Sequence, residues 1–329
     1  MKKTAIIGTT ETISALKYYD ENYDIIPIPC PDKLTFIETK KEYVCRFCSK
    51  DKTQTTFRKK AHAIPELLGN KTLCSKNECD ACNEHFGRHL EDHLAKYLMP
   101  YNSLMQIVGK NKVPKYKDSE MRIESENGKP HIKHKNSKNV QFDLKNKTLN
   151  IQMQTQKLIP IRVYKAFLKM ALSVMPEDEL VNFDETIKYV CEEDKDRVSK
   201  GLSAMLVTFT PGVKPYDKIM NIVLKRKNEN PEVPYMQYVL AYGNFIFQIM
   251  IPSLKKDEFL FKNKKTITIK PFPSCYDFIF EDSPYNSIIE SETKKVNLSS
   301  INPTIIPMSF RVNFDSTTVV KEKQNDENQ

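Results

Sequence analysis

Alternating and helical runs of apolar residues divide the chain into elements. TAIIG, then TETISALKYYDENY, then DIIPI reads as strand, helix, strand, with the Thr10 or Thr12 hydroxyl as candidate helix cap. LTFIETKKEYVCRFC alternates like a strand, and TTFRKKAHAI like a shorter one, followed by a turn at Gly69 and Asn70. A helix is predicted from Asp80 to about Leu98. MRIESENGKPHIKHK and VQFDLKNKTLNIQMQ read as hairpins turning at Asn127-Gly128 and Lys145-Asn146. IPIRVYKAFLKMALSVM has helical periodicity with little charge on one face, which predicts a buried helix opening a C-terminal domain. SAMLVTFTP, MNIVLKRKNE, YMQYVLAYGNFIFQIMI and KTITIKPFP read as strands, the third long and apolar. The polar tail KEKQNDENQ is expected to be disordered.

A chain of 329 residues holds about two domains and can bury a core without disulfides. No stretch approaches the roughly 18 apolar residues of a membrane span, and the short N-terminal apolar run is a poor signal peptide. The expectation is a soluble, cytoplasmic protein in a reducing compartment. Charge changes the picture more. The net charge is +9, and residues 41–150, with 22 basic and 13 acidic side chains, carry an excess of that same size. A basic surface of this kind suits a phosphate backbone, the alternative being a solvated lysine-rich face. Within it, Arg58, Lys59 and Lys60 of FRKK are candidate phosphate contacts or a solvated turn.

Eight cysteines are too sparse for a disulfide scaffold, and five of them fall between positions 45 and 82. CRFC at 45–48 and CDAC at 79–82 are two C-x-x-C knuckles, which suit tetrahedral zinc. Cys45, Cys48, Cys79 and Cys82 are the candidate ligands, with Cys74 a possible substitute; Cys30, Cys191 and Cys275 read as core or surface residues. With four sulfurs there is no position for water, so such a zinc is structural and any chemistry lies elsewhere. All six histidines fall between 62 and 134. His85, His89 and His93 recur every four residues, as a metal-binding face or a polar helix face; His131 and His134 belong to a basic hairpin. Phe86 is a candidate core anchor, and Tyr235, Tyr238, Tyr242 and Phe245 read as core rather than a base-stacking platform.

The ordered parts YVCRFC, AHAIPELLGN and CDACNEHFG resemble the HNH endonuclease family, in the branch whose ββα-metal motif is braced by a four-cysteine zinc site. The resemblance spans roughly residues 43–94, and IPIRVYKAFLKMALSVMP is similar to the segment C-terminal to this domain in bacterial members of that branch. It implies that His62 is the general base, that Asn70 holds its imidazole from the loop, and that Asn83 ligates a catalytic divalent metal. A neutral imidazole accepts a proton near pH 7, and an oxygen donor suits magnesium or manganese. The family commonly has an acid before the histidine, and here the residue is Ala61. Glu91, on the same predicted face as Asn83 and Gly87, is a candidate replacement ligand. The implied activity is metal-dependent phosphodiester hydrolysis in DNA; the alternative is a catalytically inactive, zinc-braced nucleic-acid-binding protein. The expected fold class is α+β. Residues 1–40 form a β-α-β extension, 41–101 the HNH-like zinc domain, 102–158 a basic β-hairpin region, 159–315 a mixed α+β domain, and 316–329 a tail.

Overall fold

The computed structural model describes residues 6–135, 137–192, 202–212, 214–262, 267, 269–280 and 288–313. The tail KEKQNDENQ and part of KTITIKPFP lie outside the described residues, and Ile269 to Pro273 form no strand. The protein is α+β, as the patterning predicts.

Strand β1 (Ile6–Gly8) leads into α1 (Thr10–Asn22) and β2 (Tyr23–Pro29). The helix cap is Thr9, whose Oγ1 accepts the Thr12 N–H at 3.2 Å, rather than Thr10 or Thr12. Three very short strands follow: β3 (Thr35–Phe36), β4 (Ala61–His62) and β5 (Leu73–Ser75). The strands predicted over 34–48 and 55–64 shrink to β3 and β4. Asn77 is one reason: its Oδ1 accepts the Tyr43 N–H, and its Nδ2 donates to Lys41 O and Thr39 Oγ1, which folds the 39–43 segment back. Asp80 is the other, because its carboxylate takes the Arg58 and Lys59 backbone N–H groups that a strand would give to a neighbour.

Helix α2 (Asp80–Phe86) passes through a π-helical turn at Gly87–Glu91 into α3 (Asp92–Leu104). The helix therefore runs six residues beyond Leu98 and through Pro100, since Tyr97, Tyr101 and Leu104 are buried and their packing outweighs the missing backbone bond. Strands β6 (Tyr116–Lys117), β7 (Met121–Glu126) and β8 (Lys129–His134) form one small sheet, with Asn127 and Gly128 both at positive φ in the hairpin turn. Strands β9 (Val140–Asp143) and β10 (Thr148–Gln154) form the second expected hairpin. Helices α4 (Pro160–Val174) and α5 (Asp184–Cys191) come next.

The remaining strands are β11 (Ala204–Phe209), β12 (Tyr216–Arg226), β13 (Met236–Gly243), β14 (Phe245–Ile251), β15 (Phe278–Phe280), β16 (Glu292–Asn297) and β17 (Pro307–Asn313), with the short α6 (Glu258–Lys262) after β14. Six of the strands make an antiparallel sheet in the order β16-β11-β14-β13-β12-β2, so β2, from the N-terminal segment, closes one edge of the C-terminal sheet. YMQYVLAYGNFIFQIMI is two strands, not one. Tyr242 pairs with Phe245, and Gly243 takes φ +60 at the turn.

Tyr101 of α3 reaches this turn. Its hydroxyl accepts the Asn244 N–H at 2.7 Å and donates to Asn244 Oδ1 at 3.1 Å. A Cβ on Gly243 would lie 2.1 Å from Tyr101 Oη. Gly243→Ala is therefore expected to cost about 2–4 kcal/mol, from left-handed backbone plus overpacking. Denaturant unfolding monitored by circular dichroism checks this, and a loss below about 0.5 kcal/mol would contradict the packing.

One apolar cluster joins the cysteine region to the C-terminal sheet. It contains Cys45, Phe47, Phe86, Leu90 and Leu94 together with Tyr164, Phe167, Leu168 and Phe247. Helix α4 sits between them: Phe167 packs on Phe247 with ring centroids 5.1 Å apart, and the Tyr164 hydroxyl donates to Met250 O at 3.2 Å. Among the described residues, no helix is long and apolar enough to cross a membrane.

Candidate metal centre and histidine hairpin

The sulfurs of Cys45, Cys48, Cys79 and Cys82 all lie within 4.8 Å of one another. Cys48 Sγ and Cys79 Sγ are 3.7 Å apart. A tetrahedron with Zn–S near 2.3 Å has edges of about 3.8 Å. The first knuckle is closed by the Ser49 N–H donating to Cys45 O at 2.8 Å and the Cys45 N–H to Lys50 O at 2.9 Å; the second opens α2 with Cys79 as its cap residue. The thiols are in electrostatic conflict. The hydrogen bond with Cys82, against opposing burial, draws Cys45 down to about 5, while the same bond and burial push Cys82 up, and burial raises Cys48. A divalent cation resolves this, because it favours the thiolate at every ligand. The cluster could hold a zinc ion. Cys74 is not part of it; it lies across from His62 in the β4–β5 pairing.

His62 is half-buried on β4, and the Ala63 N–H donates to Leu73 O at 3.1 Å to close the hairpin behind it. Burial pushes its imidazole below the usual range; Glu66 and Glu91 pull the other way, and Lys169 and Lys60 reinforce the lowering. Two carboxylates and two ammonium groups thus act on one ring.

Asn70 does not bond that ring. Its Nδ2 donates to Ile64 O at 2.7 Å and Leu73 O at 3.0 Å, and its Oδ1 accepts from Leu73 N at 2.9 Å and Thr72 N at 3.1 Å. These four bonds saturate the amide, so Asn70 shapes the loop and reaches His62 only through backbone. Ala61 is fully buried, and a carboxylate there would be withdrawn from water.

Asn83 stands partly exposed in the first turn of α2, its N–H donating to Cys79 O at 2.9 Å. A Cβ on Gly87 would meet nothing within 4 Å, so the helix face between Asn83 and Glu91 is open. Glu91 closes the π turn, a feature that often marks functional sites. Asn83 and Glu91 supply oxygen donors of the kind magnesium and manganese take. Among the described residues, the four cysteines are the one group of three or more His, Cys, Asp or Glu side chains placed to hold a metal ion.

The histidine row divides. His85 and His89 rings lie 4.6 Å apart, while His93 is buried, its Nδ1 accepting the Ile159 N–H at 3.0 Å and its Nε2 3.3 Å from Arg162 Nη1. His93 is thus part of the joint between α3 and the start of α4. His131 pairs with Glu126 at 2.8 Å on the exposed hairpin. Arg58, Lys59 and Lys60 are all exposed, with Lys59 Nζ 3.4 Å from Glu84. Asp80 holds the Arg58 and Lys59 backbone: burial opposes its charge, but bonds from Thr56, Lys59 and Arg58 outweigh this and lower its pKa. Phe86 is fully buried against Phe47, ring centroids 4.7 Å apart.

Several residues at the site carry no local signal in the sequence. Glu66 opens the short turn after the His62 strand. Glu78 is fully buried beside Cys79, and Lys169 of α4 lies between Glu78 and Glu91. Arg46, between the first two cysteines, donates to Leu172 O at 2.7 Å and Ser173 O at 2.8 Å at the end of α4. For Lys169 the one hint is a lysine inside an apolar helical run, since a buried ammonium needs a partner.

A concavity of about 2140 Å³ lies elsewhere, lined by β8, β16 and β17 among others and by neither the four cysteines nor His62, Asn70, Asn83 or Glu91. No curated protein and no solved structure matches the chain. The four cysteines, the His62 hairpin and the helix through Glu91 all lie within residues 45–99, the span that matches the family model of the HNH endonucleases.

Proposed function

We propose that the protein is a metal-dependent HNH-type endonuclease that hydrolyses phosphodiester bonds in DNA, with a structural zinc. The observation that carries this reading is a half-buried His62, its basicity lowered by burial, on a hairpin that shares the 45–99 span with four cysteines able to hold zinc, its carbonyl tied through Lys169 to the Glu91 carboxylate. His62 takes a proton from water. Asn70 fixes the loop that sets the imidazole. Asn83 and Glu91 would hold magnesium or manganese, which when bound stabilises charge on the phosphate and the leaving oxygen. Arg58, Lys59 and Lys60 place the backbone phosphates. A second reading, a zinc-braced binding protein without catalysis, is favoured by Ala61, which brings no carboxylate to the strand and is fully buried.

Incubating supercoiled plasmid with the protein and magnesium, manganese or chelator separates the two. Metal-dependent nicking is expected; binding without cleavage under every metal would leave the second reading. DNA affinity should fall steeply with salt, and replacing Arg58, Lys59 and Lys60 together by alanine should reduce the log–log salt slope by about 2–3. An unchanged slope in a fluorescence-anisotropy titration would remove these residues from the DNA contact.

A further inference from the structure

Lys169 lies outside the span that matches the family, on a largely apolar helix whose other charged side chains, Arg162 and Lys165, engage His93 and the Glu192 carbonyl instead. Its Nζ donates to the His62 carbonyl at 3.1 Å, and stands 3.1 Å from Glu78 Oε2 and 3.7 Å from Glu91 Oε1. The Lys169 side chain is 1% exposed and that of Glu78 0%, whereas that of Glu91 is 27% exposed. The three partners come from three pieces of chain: the end of β4, the loop entering the second knuckle, and the π turn. One ammonium thus engages all three pieces, by a hydrogen bond to the strand carbonyl and by ion pairs with the two carboxylates. Its own helix is held at its C-terminal end as well, where Arg46 of the first knuckle donates to the carbonyls of Leu172, Ser173 and Met175. Helix α4 is therefore fastened to the zinc knuckles at its C-terminus and to the histidine strand at mid-length.

A purely structural helix has no need of this arrangement. Apolar residues of similar volume in place of a buried ion pair generally leave a protein equally or more stable. We propose that Lys169 is a positioning residue for the candidate active site, fixing the Glu91 carboxylate and the His62 strand end relative to each other. The inference rests on the nuclease reading for its function, but its geometry does not. It makes α4, and with it the C-terminal half, part of the site.

Lys169→Met alone would strand the Glu78 carboxylate in the interior and is expected to destabilise the fold. The informative variant is Lys169→Met with Glu78→Gln, which removes both buried charges and leaves the formal charge of the cluster with Glu91 at −1. Its zinc content and thermal midpoint should stay close to wild type. Turnover on plasmid should fall about 10- to 100-fold with KM within about twofold, the range typical when a supporting residue is lost. Manganese binding, followed by electron paramagnetic resonance without DNA, should weaken about 10-fold. Since the net charge is conserved, that change reports placement. Adding Glu91→Gln should then weaken manganese binding less than it does in the wild type.

Wild-type turnover and manganese affinity in the double variant would overturn the proposal. So would its failure to fold with zinc bound, because the cluster would then be needed for folding itself. If the wild type binds manganese but cuts no DNA, the nuclease reading fails and the affinity comparison still decides the role of Lys169. A wild type that binds no manganese overturns both.

Discussion

Cys79→Ser should strip the protein of zinc and unfold the region around residues 45–99, the largest stability loss expected of any single change. Cys79 is fully buried, contributes one of the four clustered sulfurs, and caps α2, its carbonyl accepting the Asn83 N–H. Zinc binding in small metal-folded units is worth roughly 10 kcal/mol, comparable with the stability of a whole domain. The damage should spread, because Cys45, Phe47 and Phe86 share one apolar cluster with α4 and β14. Elemental analysis and near-ultraviolet circular dichroism are the measurements. Cys74→Ser is the control: Cys74 is buried but outside the cluster, so its zinc content should not change. Zinc-free wild-type protein that is folded and monodisperse would refute the assignment.

The C-x-x-C spacing made the cysteine cluster legible, since two residues between cysteines leave few other uses for a pair of thiols in a chain this long. Hairpins were legible where the turn chemistry is local: Asn127 and Gly128 both adopt the positive φ that this dipeptide tolerates. The Gly243-Asn244 turn carries a similar signal, but a continuous apolar run surrounds it, because both strands are buried on both faces. Alternation misled at 34–48 and 55–64, where Asn77 and Asp80 take the backbone groups that a strand would pair. These side chains lie more than 20 residues away from most of the backbone they organise, beyond any local pattern. Asn70 was legible as a loop residue, but only the bond geometry shows that its amide is spent on backbone. Lys169 was the least legible. Its partner carbonyl is 107 residues earlier in the chain, so the sequence shows only one of two lysines in a largely apolar helix.

His62→Ala should abolish cleavage while zinc content and DNA affinity stay near wild type. The imidazole belongs to neither the cysteine cluster nor the basic FRKK segment, so neither measurement should respond to its loss. A positioned general base typically contributes 10²- to 10⁴-fold, which leaves a residual rate near the limit of a plasmid assay. The pH profile carries a second, independent sign. Burial and the nearby Lys169 and Lys60 lower the His62 pKa, and Glu66 and Glu91 only partly oppose them. The base works in its neutral form, which exists above its pKa. The wild-type rate should therefore persist as pH falls below the ordinary histidine value of about 6.5, and decline only through a lower one. Replacing Lys169 and Glu78 together by Met and Gln removes a cation beside the ring, so the decline in that variant should begin at higher pH. Asn83→Ala gives the contrasting case: its loss should be partly recovered at higher magnesium or manganese, because the residue is assigned to holding the metal, whereas no metal concentration should restore His62→Ala. Cleavage by His62→Ala at the wild-type rate would remove the histidine from the mechanism and leave the domain as a zinc-braced binding surface.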